Sequence, residues 1–440
     1  MQEYQDWQNP CQLGFRNFVT RLNSWLNLIW QPMVESTTET RVYDRTFCFV
    51  FLANFALMSA VSLLYFYEDF VNANGGTELQ LGWIIGSGMI GAIAFRLSLG
   101  VAIDRVGIRV LWMLSLSLVI VGSLWHTRID SVVTWQVYVA RLILAAGMAG
   151  SLGCWLTFAS LRAPKDRIAE VIGVVGISGF SGMAFGPTLG DWILSDQAND
   201  AGAIDRMFYV AACLAVVSMV FALIATQAKM RRQPTDHRPF AALRNTRLGF
   251  LVVIAITMGM AASIPSTFFR PFTKSIGIES VAIYFWTYNI TAATCRIVFR
   301  KAGQVIGLRM MTVIGMATMA LSMLLYLIVT TPVTLIIPAI AAGISHAFMF
   351  PAVMAAGTNR FADEYRGLAV SLMFALFDIG ICIGAPLFGF VLWTAENNDL
   401  PPYPTMFTIF AVWIALVIAW YVSARFMFKK QNPASLGEDS

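Results

Sequence analysis

The chain has 440 residues, of which 58% are hydrophobic and 12% are charged. Soluble globular proteins carry about 25% charged residues, so this composition excludes an ordinary soluble domain. The apolar residues fall in long runs separated by short polar breaks, which is typical of a polytopic helical membrane protein. The net charge of +5 says less than the placement of the basic residues.

Residues 1–45 are predicted to stay outside the membrane. Within this segment, apolar and polar side chains fall on opposite faces of a helix. That amphipathic pattern suits a helix lying in the membrane interface, or one packed on the cytoplasmic side of the protein itself. The segment begins with charges and amides, so we expect no signal peptide.

Twelve apolar segments follow, each long enough to cross about 30 Å of hydrocarbon. They are predicted at 47–67, 79–99, 110–125, 132–156, 168–194, 208–225, 248–268, 281–299, 311–329, 333–355, 368–393 and 406–426. If both termini are cytoplasmic, the outside loops contain few basic residues, namely Arg128, Arg206, Arg270 and Lys274, and several acidic ones, including Glu68 and Asp69. This asymmetry predicts a multi-pass protein of the cell membrane with both termini inside.

The predicted domains follow from these segments. A basic cytoplasmic linker at 227–247 separates a six-helix bundle at 46–226 from a second at 248–427, and a cytoplasmic tail occupies 428–440. The expected fold class is an all-α polytopic membrane protein, with twelve transmembrane helices in two pseudo-symmetric bundles.

The two halves repeat in sequence. Three positions recur at an offset of 200, pairing Arg96 with Arg296, Gly107 with Gly307 and Arg109 with Arg309. The glycine pattern of the fifth span recurs in the eleventh, pairing Gly182, Gly186, Pro187 and Gly190 with Gly380, Gly384, Pro386 and Gly389. Small residues at helical spacing allow close helix packing in a membrane. We expect Gly182, Gly186, Pro187, Gly190, Gly384 and Pro386 to be packing and conformational residues that seal and open a cavity.

At these residues the chain resembles the major facilitator superfamily, over roughly 47–426. The family's motif between spans two and three appears as Gly100, Asp104, Arg105, Gly107 and Arg109. Its fifth-span motif is present with Asp191 in place of the final glycine, a pattern typical of the family's drug- and metabolite–proton antiporters. The fourth-span motif is partial, because Arg141 is present but the glycines fall at 147 and 150.

The motif between spans two and three is expected to act as a gating loop. Gly100 and Gly107 permit tight turns, and Asp104 is favoured against a helix N-terminus. Arg105 and Arg109 are expected to pair with Asp166 or Glu170 and to hold the cytoplasmic side shut in one state. The alternative is that these residues fix the topology only.

Few ionisable residues lie at membrane depth, where each costs at least about 2.5–3.5 kcal/mol on insertion scales. Asp378 is the first candidate for proton coupling and His346 the second; the alternatives are a structural ion pair and a core histidine. Arg141 is expected to bind an anionic solute group or to be the counter-charge of Asp378. Arg96 and Arg296 lie near predicted cytoplasmic span ends, so we expect their side chains to reach the headgroups.

Further solute-binding candidates lie on spans that the resemblance places around the central cavity. They are Asn54, Tyr288, Asn289 and Trp155. Plain packing is the alternative interpretation of the aromatic members.

Three functions remain open. The first is a secondary active transporter that exports a small organic solute in exchange for protons. The second is an uptake symporter or facilitator for an organic anion, and the third a non-transporting membrane sensor of the same fold. Hydrolase, zinc-protease and phosphate-loop motifs are missing from the sequence, and its six cysteines are scattered. We expect no enzyme activity, no cofactor, no metal, no nucleic-acid partner and a monomeric chain, with solute, protons and lipid as its partners.

Overall fold

The structure is a computed structural model, and it describes residues 44–163, 168–194, 201–227, 248–362 and 365–431. Within these ranges every regular element is helical, which confirms the all-α prediction. The predicted amphipathic helix within 1–45, the linker at 227–247 and the tail at 428–440 lie almost wholly outside the described residues.

Twelve long helices follow one another in these ranges. They are α1 Arg45–Ala73, α2 Glu78–Val106, α3 Ile108–His126, α4 Trp135–Arg162, α5 Ile168–Leu194, α6 Ala201–Ala225, α7 Phe250–Ser275, α8 Ala282–Val298, α9 Gly307–Ile328, α10 Val333–Thr358, α11 Arg366–Asn397 and α12 Pro402–Gln431. Ten of the described helices are long and apolar enough to cross a membrane. The other two are α5, with 27 residues, and α8, with 17.

The helices form two groups of six with matching contacts. In the first group α1 packs on α5 and α2 packs on α4; in the second, α7 packs on α11 and α8 packs on α10. The groups meet where α2 packs along α11 and where α5 packs along α8. These two contacts are equivalent, because α2 corresponds to α8 and α5 to α11. The predicted pair of pseudo-symmetric six-helix bundles is therefore confirmed, while the limits of the domains stay a prediction.

The repeat is also present in the backbone. Gly107 and Gly307 both have positive φ, +84° and +81°, at the turns into α3 and α9. A side chain disfavours that conformation, so the backbone at both turns favours glycine. Gly100 was expected to make a tight turn as well, but it lies within α2, which continues to Val106.

Two helices continue beyond their apolar stretches at one end of the molecule. We call the end where α1 ends and α2 begins the distal end. The opposite end, where α1 begins and α12 ends, is the terminal end. α1 continues through a 3-10 turn at Leu64–Phe66, and α7 through a π turn at Ile264–Phe268. The assignment to loops was therefore wrong for the charged residues on these two helices, namely Glu68, Asp69, Arg270 and Lys274. It was also wrong for Arg206, because α6 begins at Ala201.

Candidate functional site

Arg96 and Asp378 form a buried ion pair between the two halves of the molecule. Arg96 Nε donates to Asp378 Oδ2, and the two side chains are 7% and 5% exposed. The guanidinium group also lies over the ring of Phe374, 4.7 Å from its centroid. Two expectations are corrected here: Arg96 does not reach the headgroups, and it, not Arg141, is the counter-charge of Asp378. The reason is that α2 runs past its predicted end at residue 99 to Val106. Arg96 therefore lies about 10 Å farther from the end of its helix than the apolar stretch predicts.

Arg141 lies in the distal part of the first half, packed on an aromatic ring. Its guanidinium carbon is 4.8 Å from the centroid of Tyr67. Arg141 Nε and Nη1 are buried without a hydrogen-bond partner. The hydroxyl of Tyr67 lies 2.9 Å from His126 Nε2, and His126 Nδ1 lies 2.6 Å from the carbonyl of Gly122. Since a carbonyl only accepts, Nδ1 carries the proton and the tyrosine donates. Sequence reasoning did not single out His126, whose position at the end of α3 resembled a loop.

His346 and Tyr288 form a hydrogen-bonded pair between α10 and α8. The hydroxyl of Tyr288 lies 2.7 Å from His346 Nδ1. The imidazole stacks on Phe350, with ring centroids 5.4 Å apart and planes 7° apart. It also packs at a steep angle against the ring of Phe180 from α5, with centroids 5.8 Å apart and planes 76° apart. The candidate histidine therefore lies at the interface of the two halves, inside an aromatic cluster.

Arg296 lies in the same cluster. Its guanidinium carbon is 4.7 Å from the centroid of Phe180 and 5.5 Å from that of Phe350. Arg296 Nε and Nη2 are buried and have no hydrogen-bond partner. Among the described residues, no carboxylate lies within ion-pair distance of this guanidinium group. Arg296 was expected near the headgroups and instead contacts α5.

The remaining solute-binding candidates carry unsatisfied polar atoms. Asn54 Nδ2 donates to Ser178 Oγ over 2.9 Å, and Asn289 Nδ2 donates to the carbonyl of Phe285 over 2.7 Å. The amide oxygens of both asparagines and Trp155 Nε1 are buried without a partner. Buried polar groups are nearly always hydrogen-bonded, so these atoms remain candidates for contacts with a solute or water.

The predicted gating loop lies apart from these groups, at the terminal end. Asp104 and Arg105 occupy the last turn of α2, and Arg109 the first turn of α3; all three side chains are exposed. Of the expected partners, Asp166 and the side chain of Glu170 lie outside the described residues. The gating role stays a prediction.

The glycines of α5 pack against α1 within the first half. A Cβ atom at Gly182 would lie 2.8 Å from Met58 Cβ, and one at Gly186 would lie 2.6 Å from the backbone nitrogen of Leu63. Gly190 packs against the ring of Phe66. Pro187 lies inside α5. The close contact that the spacing indicates is thus made with α1; α5 and α11, the two glycine helices, do not pack on one another among the described pairs.

The glycines of α11 face two neighbours. Gly380 and Gly384 pack against α7, as their counterparts pack against α1, and a Cβ atom at Gly384 would lie 2.9 Å from Met260 Cα. Pro386 and Gly389 face α2 of the other half, where Gly86 meets the proline ring. α11 therefore joins the core of its own half to the interface that contains Asp378.

A charged cluster joins α1 to α7 at the distal end, and sequence reasoning missed it. Lys274 Nζ contacts Asp69 Oδ1 and lies 3.4 Å from Glu68 Oε2. Arg270 Nε lies 3.6 Å from Asp69 Oδ2. The side chains of Asp69 and Arg270 are 0% and 3% exposed. The available signal was a pair of acidic residues in a predicted loop of the first half and a pair of basic residues in a predicted loop of the second half.

Asp191, which departs from the family motif, makes the second distal contact between the halves. Its Oδ2 accepts from Ser280 Oγ over 2.6 Å and from the backbone N–H of Val281 and Ala282 over 3.0 and 2.9 Å. These groups form the N-terminus of α8, where a carboxylate is favoured by the helix dipole. The carboxylate of α5 thus caps a helix of the other half. About one turn before Asp191, Thr188 Oγ1 accepts a hydrogen bond of 2.9 Å from Trp286 Nε1 of α8.

Comparison with known proteins agrees with this architecture. The sequence model of the Major Facilitator Superfamily matches residues 46–301 and 280–437. An uncharacterised MFS-type transporter of Methanocaldococcus jannaschii is 21% identical over 347 residues, covering 76% of this chain and 88% of the relative.

Two solved transporters have a similar fold. A mutant of the nucleoside transporter NupG aligns with a TM-score of 0.73 at 15% identity, over 86% of this chain and 99% of that protein. A D-xylose–proton symporter aligns with a TM-score of 0.65 at 13% identity, over 84% of this chain and 96% of the symporter. The twelve helices, their repeat and the match over nearly the whole described chain lead to one conclusion: the protein is a multi-pass membrane transporter that belongs to the major facilitator superfamily.

Proposed function

We propose that this transporter exports a small organic solute in exchange for protons, by alternating access, with Asp378 as the proton-carrying group. The observation that carries the proposal is the Arg96–Asp378 pair, a buried carboxylate on the contact surface between the two halves. An ionised Asp378 attracts Arg96 and favours the contact of α2 with α11. A protonated Asp378 loses that attraction, so binding of a proton is linked to the contact between the halves.

The distal contacts support alternating access as the transport mode. The Asp69–Lys274 pair and the Asp191 cap of α8 join the two halves at the distal end. Side chains at the terminal end of α5 are less enclosed: no atom lies within 4 Å of a Cβ atom built at Gly173 or Gly176. The described conformation is therefore one in which the distal side is held closed.

The fifth-span motif supports exchange over cotransport. Gly182, Gly186 and Pro187 retain the pattern of the family's antiporters, and the two glycines make a close α1–α5 contact. The second candidate function is uptake of an organic anion. It is favoured by Arg141 and Arg296, two arginines with buried N–H groups that have no hydrogen-bond partner among the described residues.

Proton movement in proteoliposomes tests the proposal. A solute is first identified by its thermal stabilisation of the purified protein, and is then added outside vesicles that contain a pH-sensitive dye. Exchange makes the lumen alkaline as the solute enters and protons leave, which is the expected result. An acidified lumen indicates cotransport and would replace the first function by the second. An unchanged lumen pH during measured solute entry contradicts proton coupling.

A further inference from the structure

The two halves place an arginine at the same point of equivalent contacts. Arg96 on α2 and Arg296 on α8 are separated by 200 residues. α2 packs along α11, and α8 packs along α5, the counterpart of α11. Each arginine therefore reaches across to the opposite half at the same position of the repeat.

The residue that each arginine meets is also set by the repeat. Phe180 stands two residues before Gly182, and Asp378 stands two residues before Gly380. The register is supported by packing, since the glycines of α5 contact Met58 and Ser62 of α1 while those of α11 contact Met260 and Ser263 of α7. Phe180 and Asp378 are thus equivalent positions.

At these equivalent positions the two sites differ in charge. Arg96 meets the carboxylate of Asp378, whereas Arg296 meets the ring of Phe180 at 4.7 Å. A cation over an aromatic face gains about 0.5–2 kcal/mol, which is less than the several kcal/mol that a buried ion loses with its hydration. Within the described part of the chain, the charge of Arg296 is therefore not neutralised by a carboxylate, whereas the charge of Arg96 is.

The free atoms of Arg296 have the geometry for an anion. Nε and Nη2 are buried donors without a partner in the described ranges, and they lie on the same edge of the guanidinium plane. That edge holds a carboxylate through two parallel N–H···O bonds. The surrounding rings belong to Phe180, Phe350 and the Tyr288–His346 pair, and aromatic rings are the neighbours against which an apolar or aromatic body packs.

We propose that Arg296 binds the anionic group of the transported solute, and that this solute is a small aromatic carboxylate. The inference rests on the transport role proposed above and names its substrate class, independently of the direction of transport. Phe180 keeps the site without an internal carboxylate, so the solute supplies the charge that Asp378 supplies to Arg96. Phe350 and Phe180 contact the aromatic body.

Thermal unfolding in detergent tests this assignment with benzoate as the probe and benzamide as its uncharged match. Benzoate is expected to raise the unfolding midpoint by about 1.5–2 °C at about ten times its Kd, and benzamide is not. Phe180→Asp places a carboxylate beside Arg296, as in the other half, and is expected to weaken benzoate binding at least about tenfold, or 1.4 kcal/mol. Phe180→Asn is the uncharged match; it loses the ring contact alone and is expected to weaken benzoate binding less than Phe180→Asp does.

A second variant keeps the test decisive if Phe180→Asp does not fold. Arg296→Gln retains hydrogen-bond donors without the charge and is expected to lose the benzoate shift. Equal shifts with benzoate and benzamide, no shift of the wild type, or benzoate binding that survives in Phe180→Asp or Arg296→Gln would each overturn the proposal. Binding in detergent involves no proton flux, so failure of proton coupling in vesicles leaves this result intact, and the reverse also holds.

Discussion

Arg96 and Asp378 lie 282 positions apart in the chain and form a buried ion pair between α2 and α11. Each residue belongs to a different half of the molecule. A buried pair of this kind is sensitive to the loss of either member, because the remaining charge is left without its counter-charge. The pair therefore links a charge to the contact of the two halves.

Removal of Arg96 is expected to destabilise the protein. Arg96→Met leaves the Asp378 carboxylate buried alone, at a cost of about 3–5 kcal/mol. The double variant Arg96→Met with Asp378→Leu is expected to regain most of that loss. The loss of stability in the single variant is expected to be smaller in acid, because a proton then neutralises the buried carboxylate. Unfolding midpoints in detergent across pH measure both effects, and additive losses in the double variant would contradict the account.

Two glycines of α5 provide a matched pair for the packing argument. Gly186→Ala places a Cβ atom 2.5 Å from the carbonyl oxygen of Ser59 on α1, and such overpacking costs about 1–3 kcal/mol. Gly176→Ala meets no atom within 4 Å and is expected to leave stability unchanged or slightly raised. Thermal unfolding of both variants is the measurement, and equal midpoints would show that the α1–α5 contact is not tight.

The charged cluster between α1 and α7 is expected to hold the distal side closed. Asp69→Asn removes the charge of a fully buried partner of Lys274. Spin labels at Ala73 and Ser275, in a variant without native cysteines, report the distal separation. The open population is expected to rise at least about tenfold relative to the closed one, because loss of a buried pair exceeds 1.4 kcal/mol.

A control variant is available in the same cluster. Glu279 pairs with Arg270 at 3.7 Å but is 71% exposed, and exposed pairs contribute about 0–1 kcal/mol. Glu279→Gln is expected to leave the distance distribution unchanged. If Asp69→Asn and Glu279→Gln give the same distribution, the cluster does not close the distal side.

Asp191 offers a graded test of the second distal contact. Asp191→Gly restores the family glycine and removes the carboxylate that caps α8, whereas Ser280→Ala removes one of its hydrogen bonds and leaves the backbone donors. A carboxylate at a helix N-terminus contributes about 0.3–1 kcal/mol. The same labels are expected to show more opening in Asp191→Gly than in Ser280→Ala, and an unchanged distribution in both would exclude a role in closure.

The fold was accessible from sequence because hydropathy and the repeat act over many residues. The offset of 200 between Arg96 and Arg296, with the glycines at 107 and 307, predicted the two halves, and the backbone repeats at both turns. Individual positions were less accessible. Arg96 was placed near the surface because its apolar stretch ends at residue 99, although the helix itself continues to Val106.

Pairings across the interface were harder to predict for a physical reason. A contact between α2 and α11 has no local signature, so the partner of Asp378 depended on helix depth and rotation. The departure at Asp191 was visible as a missing glycine, but its acceptor role depends on the N-terminus of α8 in the other half. The equivalence of Phe180 and Asp378 follows from the spacing of the glycines that come after them in the sequence. Its consequence depends on the arginines that contact these two positions, which only the structure identifies.

The most direct test of the central claim compares two modes of transport in Asp378→Asn. In proteoliposomes, solute exchange without a gradient needs alternating access alone, whereas uphill accumulation driven by a pH gradient also needs proton coupling. We expect Asp378→Asn to retain exchange and lose pH-driven accumulation, with Asp378→Glu retaining both. Accumulation driven by the pH gradient at the wild-type level in Asp378→Asn would contradict the assignment of the proton to Asp378.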